Sequence, residues 1–406
     1  MTALNKLELI GTLGYIGVGL ETIPGTAVTP TDFIPYYDEG LDTNLNLDTD
    51  SPAVGLFVET YQVLQGQRDH SGPLELLAEP NTSVKLLNML LTVGAPTGSN
   101  PYTYVATPSG TTRPATYTID VSIGGQQVKR FVGCGLEKLG HKFDKNVQHW
   151  TGNVSALGSF TIRTLASTPT GTNPYTVVLD ATGYDPNPTN GLVVGDIMTM
   201  AKADGTAVTN FTIASITNGT TFTTTTNVTT FAAADQVFIR PATVSLSALV
   251  AQPFSAARTN YCFGATASAA LSATPTRVEP GSAWEITSPF NNAKGEMRLG
   301  GFDPASLVRL PPTFSVKVKK FFASESDLAA WLNITKQALV VRHYTGAANI
   351  YEFRVTFNNM KIKAGSIVKT KSKGVLYAEM EYIPQWDTSD TQQVAVTVIN
   401  ALSVMS

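Results

Sequence analysis

The chain has 406 residues, more than a single hydrophobic core usually organises, so two or three domains are expected. Apolar residues make up 43% and charged residues only 15%; Thr, Ser, Asn, Gly and Pro fill the difference, which favours β-strands joined by turns over helices. A formal net charge of −3 lacks the basic excess that grips nucleic-acid phosphates, and no uncharged apolar run reaches the ~18 residues of a membrane span.

Residues 1–35 are rich in Gly, Thr and Pro without a sustained period and are expected as an extended arm. Their start faintly resembles a signal peptide, but Glu8 breaks the apolar stretch, so an unprocessed soluble chain is expected. The spacing of Gly14, Gly17 and Gly19 is a scrambled dinucleotide motif with no helix after it to receive a phosphate.

A first domain is read over residues 36–166. Asp42, Asn44, Asn46 and Asp48 alternate with Leu41, Leu45 and Leu47, the pattern of a strand with one acidic face; Asp48 and Asp50 lack the glycine and closing glutamate of a calcium loop. Residues 73–79 predict a strand and Asn81, Thr82 and Ser83 a helix cap. Val84, Leu87, Leu90 and Leu91 then share one helical face. A hairpin turning at Gly124 and Gly125 and a closing strand near Trp150 follow.

Residues 167–242 have a different texture, short Thr-rich strands between Asn-Gly, Asp-Gly and Pro-Asn turns, and are expected as a small inserted β-domain. A second domain over 243–400 repeats the first: strand 314–322, caps at Ser324 and Ser326, a helix presenting Leu328, Trp331 and Leu332, a hairpin, then a closing strand at 375–383. Residues 401–406 are a tail. The shared order points to an internal duplication; two chance occurrences of a common order are the alternative.

Catalytic patterns are lacking. The sequence has no Gly-x-Ser-x-Gly elbow, phosphate-binding loop, His-Glu-x-x-His or Cys-x-x-Cys. His141 and His149 flank Asp144 without metal-ligand spacing and are expected as polar turn residues. His70, beside Asp69 and Ser71, has no relay geometry. Cys134 and Cys262 are expected as reduced core thiols, and Trp150, Trp284, Trp331 and Trp386 as core aromatics. No enzyme, metal or cofactor is expected.

Four stretches, "GVGLETIPGTAVTPTDFIPYYDEGLDTN", "QGQRDHSGPLELLAEPNTSVKLLNMLL", "FVGCGLEKLGHKF" and "GVLYAEMEYIPQWDTSDTQQVAVTVIN", together resemble the major tail tube proteins of long-tailed, siphovirus-type bacteriophages. The resemblance, which leaves out the insert, implies a mainly β fold in which each tail-tube domain is a β-sandwich or partial barrel with one flanking α-helix. The duplication read above departs from the simplest members by placing two such domains in tandem. The inserted β-domain is expected to project outward, since it would obstruct a lumen. The resemblance implies a virion structural protein, assembled in the host cytoplasm into rings that stack as a hollow tail tube. Double-stranded DNA would pass without specific binding, and no membrane would be involved. Partners would be further copies of the chain, the tape measure protein, and the tail terminator and distal tail proteins. Two domains per chain favour three chains in a pseudo-sixfold ring; six chains are the alternative. The segment around residues 40–72 is then expected as a loop making ring-to-ring contacts, with Asp42, Asp48, Asp50, Glu59, Arg68 and Asp69 at ring contacts or the lumen. Leu87, Leu90, Leu328 and Trp331 would be core helix positions. The inner tube of a contractile tail or secretion apparatus, and less favourably a carbohydrate-binding β-protein, are the competing functions.

Overall fold

The computed structural model describes residues 14–50, 62–108, 112–124, 127–143, 147–181, 187–242, 244, 253–276, 278–291, 303–304, 308–321, 329, 332–345, 351–363, 368–372, 375–389 and 392–403. Its first half contains β1 (Ile16–Leu20), β2 (Asp32–Ile34), β3 (Tyr36–Glu39), β4 (Asp42–Asp50), β5 (Gln62–Leu77), α1 (Pro80–Leu90), β6 (Thr92–Val93), β7 (Tyr102–Thr107), β8 (Tyr117–Ile123), β9 (Gln127–Lys142), β10 (His149–Ala156) and β11 (Gly158–Phe160). The insert holds β12 (Arg163–Thr164), β13 (Tyr175–Val178), β14 (Ile197–Ala201), β15 (Val208–Ile216), β16 (Thr221–Thr224) and β17 (Gln236–Ile239). The second half holds β18 (Thr259–Gly264), α2 (Ala267–Ser272), β19 (Ala283–Thr287), β20 (Phe290–Asn291), β21 (Val308–Arg309), β22 (Thr313–Phe321), β23 (Gln337–Tyr344), β24 (Glu352–Ile362), β25 (Val368–Ser372), β26 (Val375–Pro384) and β27 (Val394–Asn400). The fold is mainly β, as its composition predicts.

Strand order repeats between the halves. In the first, β1–β8–β9–β11 form one antiparallel sheet, and β5, bordered on its outer side by β3 and β4, continues through β10 to β9 in another. Sixteen-residue β9 serves both sheets, its N-terminal half beside β8 and its C-terminal half beside β10. In the second half the orders are β18–β23–β24–β27 and β19–β22–β26–β25, again antiparallel. Here the end of β24 and then β25 run along β26, as β9 runs along β10.

The halves meet edge to edge. β9 pairs β19 from Lys138↔Thr287 to Lys142↔Ala283, so the two second-named sheets fuse into a single run: β3 and β4, then β5–β10–β9–β19–β22–β26–β25. A second seam pairs β7 of the first half with β27 of the second. One apolar core accordingly crosses both halves, with Trp150, Trp284 and Phe353 in mutual ring contact at centroid distances of 4.6 to 5.7 Å.

Residues 1–35, expected as an arm, include a core strand. Ile16 and Val18 of β1 are buried, and β1 lies between β2 and β8. The glycine-rich spacing serves packing: a Cβ on Gly19 would sit 2.8 Å from Val28 Cγ2.

Helix α1 begins earlier than predicted, at Pro80, because the Glu79 carboxylate caps it by accepting from the Asn81 and Thr82 amides. Burial holds the Glu79 carboxyl above its ordinary range against those bonds. Leu87 and Leu90 are buried as expected, but so are Leu86, Met89 and Lys85, since the helix is enclosed. Lys85 reaches Asp32, Asn88 donates to Tyr117 Oη at 3.0 Å, and Arg309 of the second half donates to the Met89 and Leu90 carbonyls at the helix end. Leu328 and Trp331, the matching positions of the second copy, lie outside the described residues. Leu332 is 65% exposed rather than on a buried face, because the chain turns directly after it, with Ile334 at φ 52.

The insert has its own core, including stacked Phe211 and Phe222 with Met198, Met200 and Val237. That core also takes in Tyr15 and Val128 of the body, and Ile239 of β17 pairs Val128 of β9. Beneath it, buried Arg130 donates to Asp120 at 2.7 Å and to Asp196 of the insert at 2.5 Å.

Candidate assembly surface

β4 and β5 form a hairpin that starts within the fused sheet and leaves it. β5 pairs β10 only from His70 onward, whereas it pairs β4 from Gln62↔Asp50 to Ser71↔Asp42. Residues 44–50 and 62–69 therefore make a two-stranded ribbon with no third strand among the described residues. What was expected as a loop is thus a paired ribbon, with Glu59 in the stretch 51–61 that lies outside the described residues. The expected alternation also breaks. A bulge falls between Leu45 and Leu47, and these leucines are 45% and 60% exposed while Leu41 is buried. Exposed leucines on a lone ribbon are an adhesive surface.

Close contacts fix the ribbon's base. Gly72 passes so near Gly40 that a Cβ would lie 2.0 Å from the Gly40 carbonyl oxygen. His70 is fully buried, its Nδ1 2.9 Å from Thr43 Oγ1 and its Nε2 3.0 Å from Asp303 of the second half. Arg68 is buried with Nε 3.3 Å from the same Asp303 carboxylate. Burial alone would raise the Asp303 carboxyl, but the His70 bond and the Arg68 charge outweigh it and hold it low. Arg68 is thus engaged within its own chain. Asp69 accepts from Ser71 Oγ at 3.1 Å.

The outer strand of this end of the sheet is acidic. Asp38, Glu39, Asp42, Asp48 and Asp50 all stand on β3 or β4, which pair only β5 among the described residues. Asp42 meets Lys129 at 2.9 Å; burial raises its carboxyl, yet the Lys129 and Thr43 bonds hold it below the ordinary value. Glu39 is held above its ordinary value by burial, with Lys129 opposing and the Asp42 and Asp38 charges reinforcing the rise. At the far end of the sheet, β25 carries Lys369 and Lys371 and pairs only β26 among the described residues.

Between these edges, the sheet face turned away from the core is polar and charge-paired: Lys138 with Glu285 at 2.5 Å, Lys317 with Glu379 at 2.5 Å, Lys363 with Glu381 at 2.9 Å. An open groove of about 650 Å³ crosses it, bordered by Asp38, Glu75, Glu137, Lys138 and Asn153. Its carboxylates are tied locally; Glu137 accepts from Asn153 and Ser155, and Glu75 meets His149 at 2.7 Å.

Three single-residue expectations change. His141 is not in a polar turn but buried on β9, its Nε2 2.7 Å from Gln148 Oε1, because β9 runs on to Lys142. Trp386, expected in the core, is 61% exposed beyond the end of β26. His149 is half-exposed, stacked on Tyr37 at 4.0 Å. Cys134 and Cys262 are both buried and free. Asp303, Arg309 and Arg130 carry no local sequence pattern that marks them. No family model matches the chain and no curated protein matches it.

Proposed function

We propose that the chain is a tail-tube-type virion protein that assembles into stacked rings, forming a hollow tube for DNA delivery. The observation that supports this most is the fused antiparallel sheet, built from two halves of similar strand order, whose end strands β3/β4 and β25 each pair on one side only among the described residues. Open strand edges are templates for further pairing, and closing a sheet on itself removes them. Two equivalent halves per chain make three chains the natural number for a pseudo-sixfold ring, with six as the alternative.

The other features suit this role. The free sheet face, with its paired charges, suits a lumen, since compensated charges do not hold phosphates. The β4–β5 ribbon with its exposed leucines suits ring-to-ring contact, and the insert is attached through the half of β9 that belongs to the other sheet, which suits an outward position. On this basis the partners are further copies, the tape measure protein, and the terminator and distal tail proteins. Electron microscopy of purified protein tests the function: hollow stacked rings are expected, whereas monomers under every assembly condition, with glycan binding on a panel, would favour a carbohydrate-binding protein.

A further inference from the structure

We infer that His141 and His343 act as an acid-operated catch between the two halves: neutral, they close the joint, and once charged they open it before either half unfolds. This goes beyond the tube reading and does not depend on it. The pair lies where the halves touch. His141 stands on β9 opposite Trp284 of β19 in the seam, while His343 stands on β23, in the other sheet of the second half, between Thr259 of β18 and Phe353 of β24. Both rings are buried and meet at a centroid distance of 4.4 Å, their planes 67° apart.

Hydrogen bonds fix which nitrogen of each ring carries the hydrogen. His141 Nε2 lies 2.7 Å from Gln148 Oε1, a carbonyl that can only accept, so Nε2 is the N–H and Nδ1 the lone pair. Thr259 Oγ1 gives its one hydrogen to the Ser255 carbonyl at 3.0 Å, so it accepts from His343 Nδ1, also 3.0 Å away, and Nε2 is that ring's lone pair. His141 Nδ1 and His343 Nε2 are both buried without a hydrogen-bond partner among the described residues. A proton on either makes a buried, charged N–H with no acceptor. Among the described residues no carboxylate, lysine or arginine contacts either ring. His149 stands beside His141 and would oppose its charge; Tyr261, on the same face of β18 as Thr259, is a phenol kept neutral by burial. Arg342 and Glu352, the chain neighbours of His343 and Phe353, bond each other at 2.8 Å on the opposite face. Two charged rings therefore find relief only by parting and admitting water, and because they belong to different halves, parting them opens the joint and spares the pairing inside each half.

Two measurements on the intact chain test this. Nitrogen-15 spectra of ring-labelled histidine near neutral pH should show His141 carrying its hydrogen on Nε2 and His343 on Nδ1. Amide hydrogen exchange, corrected for the intrinsic effect of pH, should then be followed from about pH 7.5 to 4.5. Amides of β9, β19 and β23 are expected to lose protection by about tenfold or more while those of β1 and β8 keep theirs. In a His141→Phe/His343→Phe chain the seam should stay protected at the lower pH; the wild-type readouts stand even if that chain does not fold. Either ring with its hydrogen on the other nitrogen overturns the inference. So does a wild-type seam indifferent to pH, a loss of protection spread evenly over the chain, or the same seam loss in a folded double variant.

Discussion

His141 and His343 meet at a ring-centroid distance of 4.4 Å where the two halves join, both fully enclosed. Gln148, Trp150, Trp284 and half-exposed His149 surround the first; Thr259, Phe254 and Phe353 surround the second. Burial disfavours charge on both rings: it pushes His141 down to about 4 against the Gln148 bond, with His149 adding to the fall, and it pushes His343 well below its ordinary range, with His141 adding. In the unfolded chain both titrate near 6.5. Below that pH the unfolded state binds protons that the fold refuses, so their contribution is full above about pH 6.5 and drains away as pH falls toward 4. The loss is on the order of 3 kcal/mol for His141 alone. Urea midpoints measured between pH 7.5 and 4.5 should fall accordingly, and His343→Phe should flatten the slope; an unchanged slope in that variant would contradict the pair's role. Gly72→Val is expected to leave no soluble folded protein, because its side chain must occupy the Gly40 backbone; recovery of a cooperatively unfolding product would show that the crossing can open.

At the scale of elements, the insert and α1 are each bonded into the body. Arg130→Met would leave Asp120 and Asp196 as neighbouring buried carboxylates and is expected to cost about 3–5 kcal/mol by urea unfolding. Excising residues 170–240 would remove Asp196 and uncover Tyr15 and Val128, so the shortened chain should be less stable than the intact one; equal midpoints would mean the insert's core is independent. Leu87→Asp puts a charge into the enclosed helix and should abolish soluble folding, as judged by expression and circular dichroism. Much of this level was legible in sequence. Alternation marked the strands, the Gly124–Gly125 turn marked the β8–β9 hairpin, and the apolar spacing from Val84 to Leu91 marked α1. Partners were not legible, because alternation says that a strand has a buried face without saying which strand lies beside it. Hence β1 read as an arm, the segment around residues 40–72 as a contact loop despite the strand alternation seen from Leu41 to Asp48, and His141, whose neighbours Lys142 and Gly140 look turn-like, as solvated.

For the whole molecule, the recurrence of strand–helix–hairpin–strand in sequence has a counterpart in two halves of equal strand order, but the seam joining them has no sequence signature. The β9–β19 joint sets Trp284 opposite His141 and Lys138 opposite Thr287, residues far apart in the chain whose proximity only the fold creates. A sheet with this internal repeat, whose end strands pair on one side only among the described residues, is the central feature on which the proposed tube and ring number rest. The most direct measurement is the symmetry and mass of isolated rings, by end-on microscopy with native mass spectrometry. Three chains of 43.2 kDa each, arranged as six similar units around a hollow bore, is the predicted result. A ring of six chains, or a particle without a closed bore, would contradict the account in which each chain supplies two equivalent ring segments.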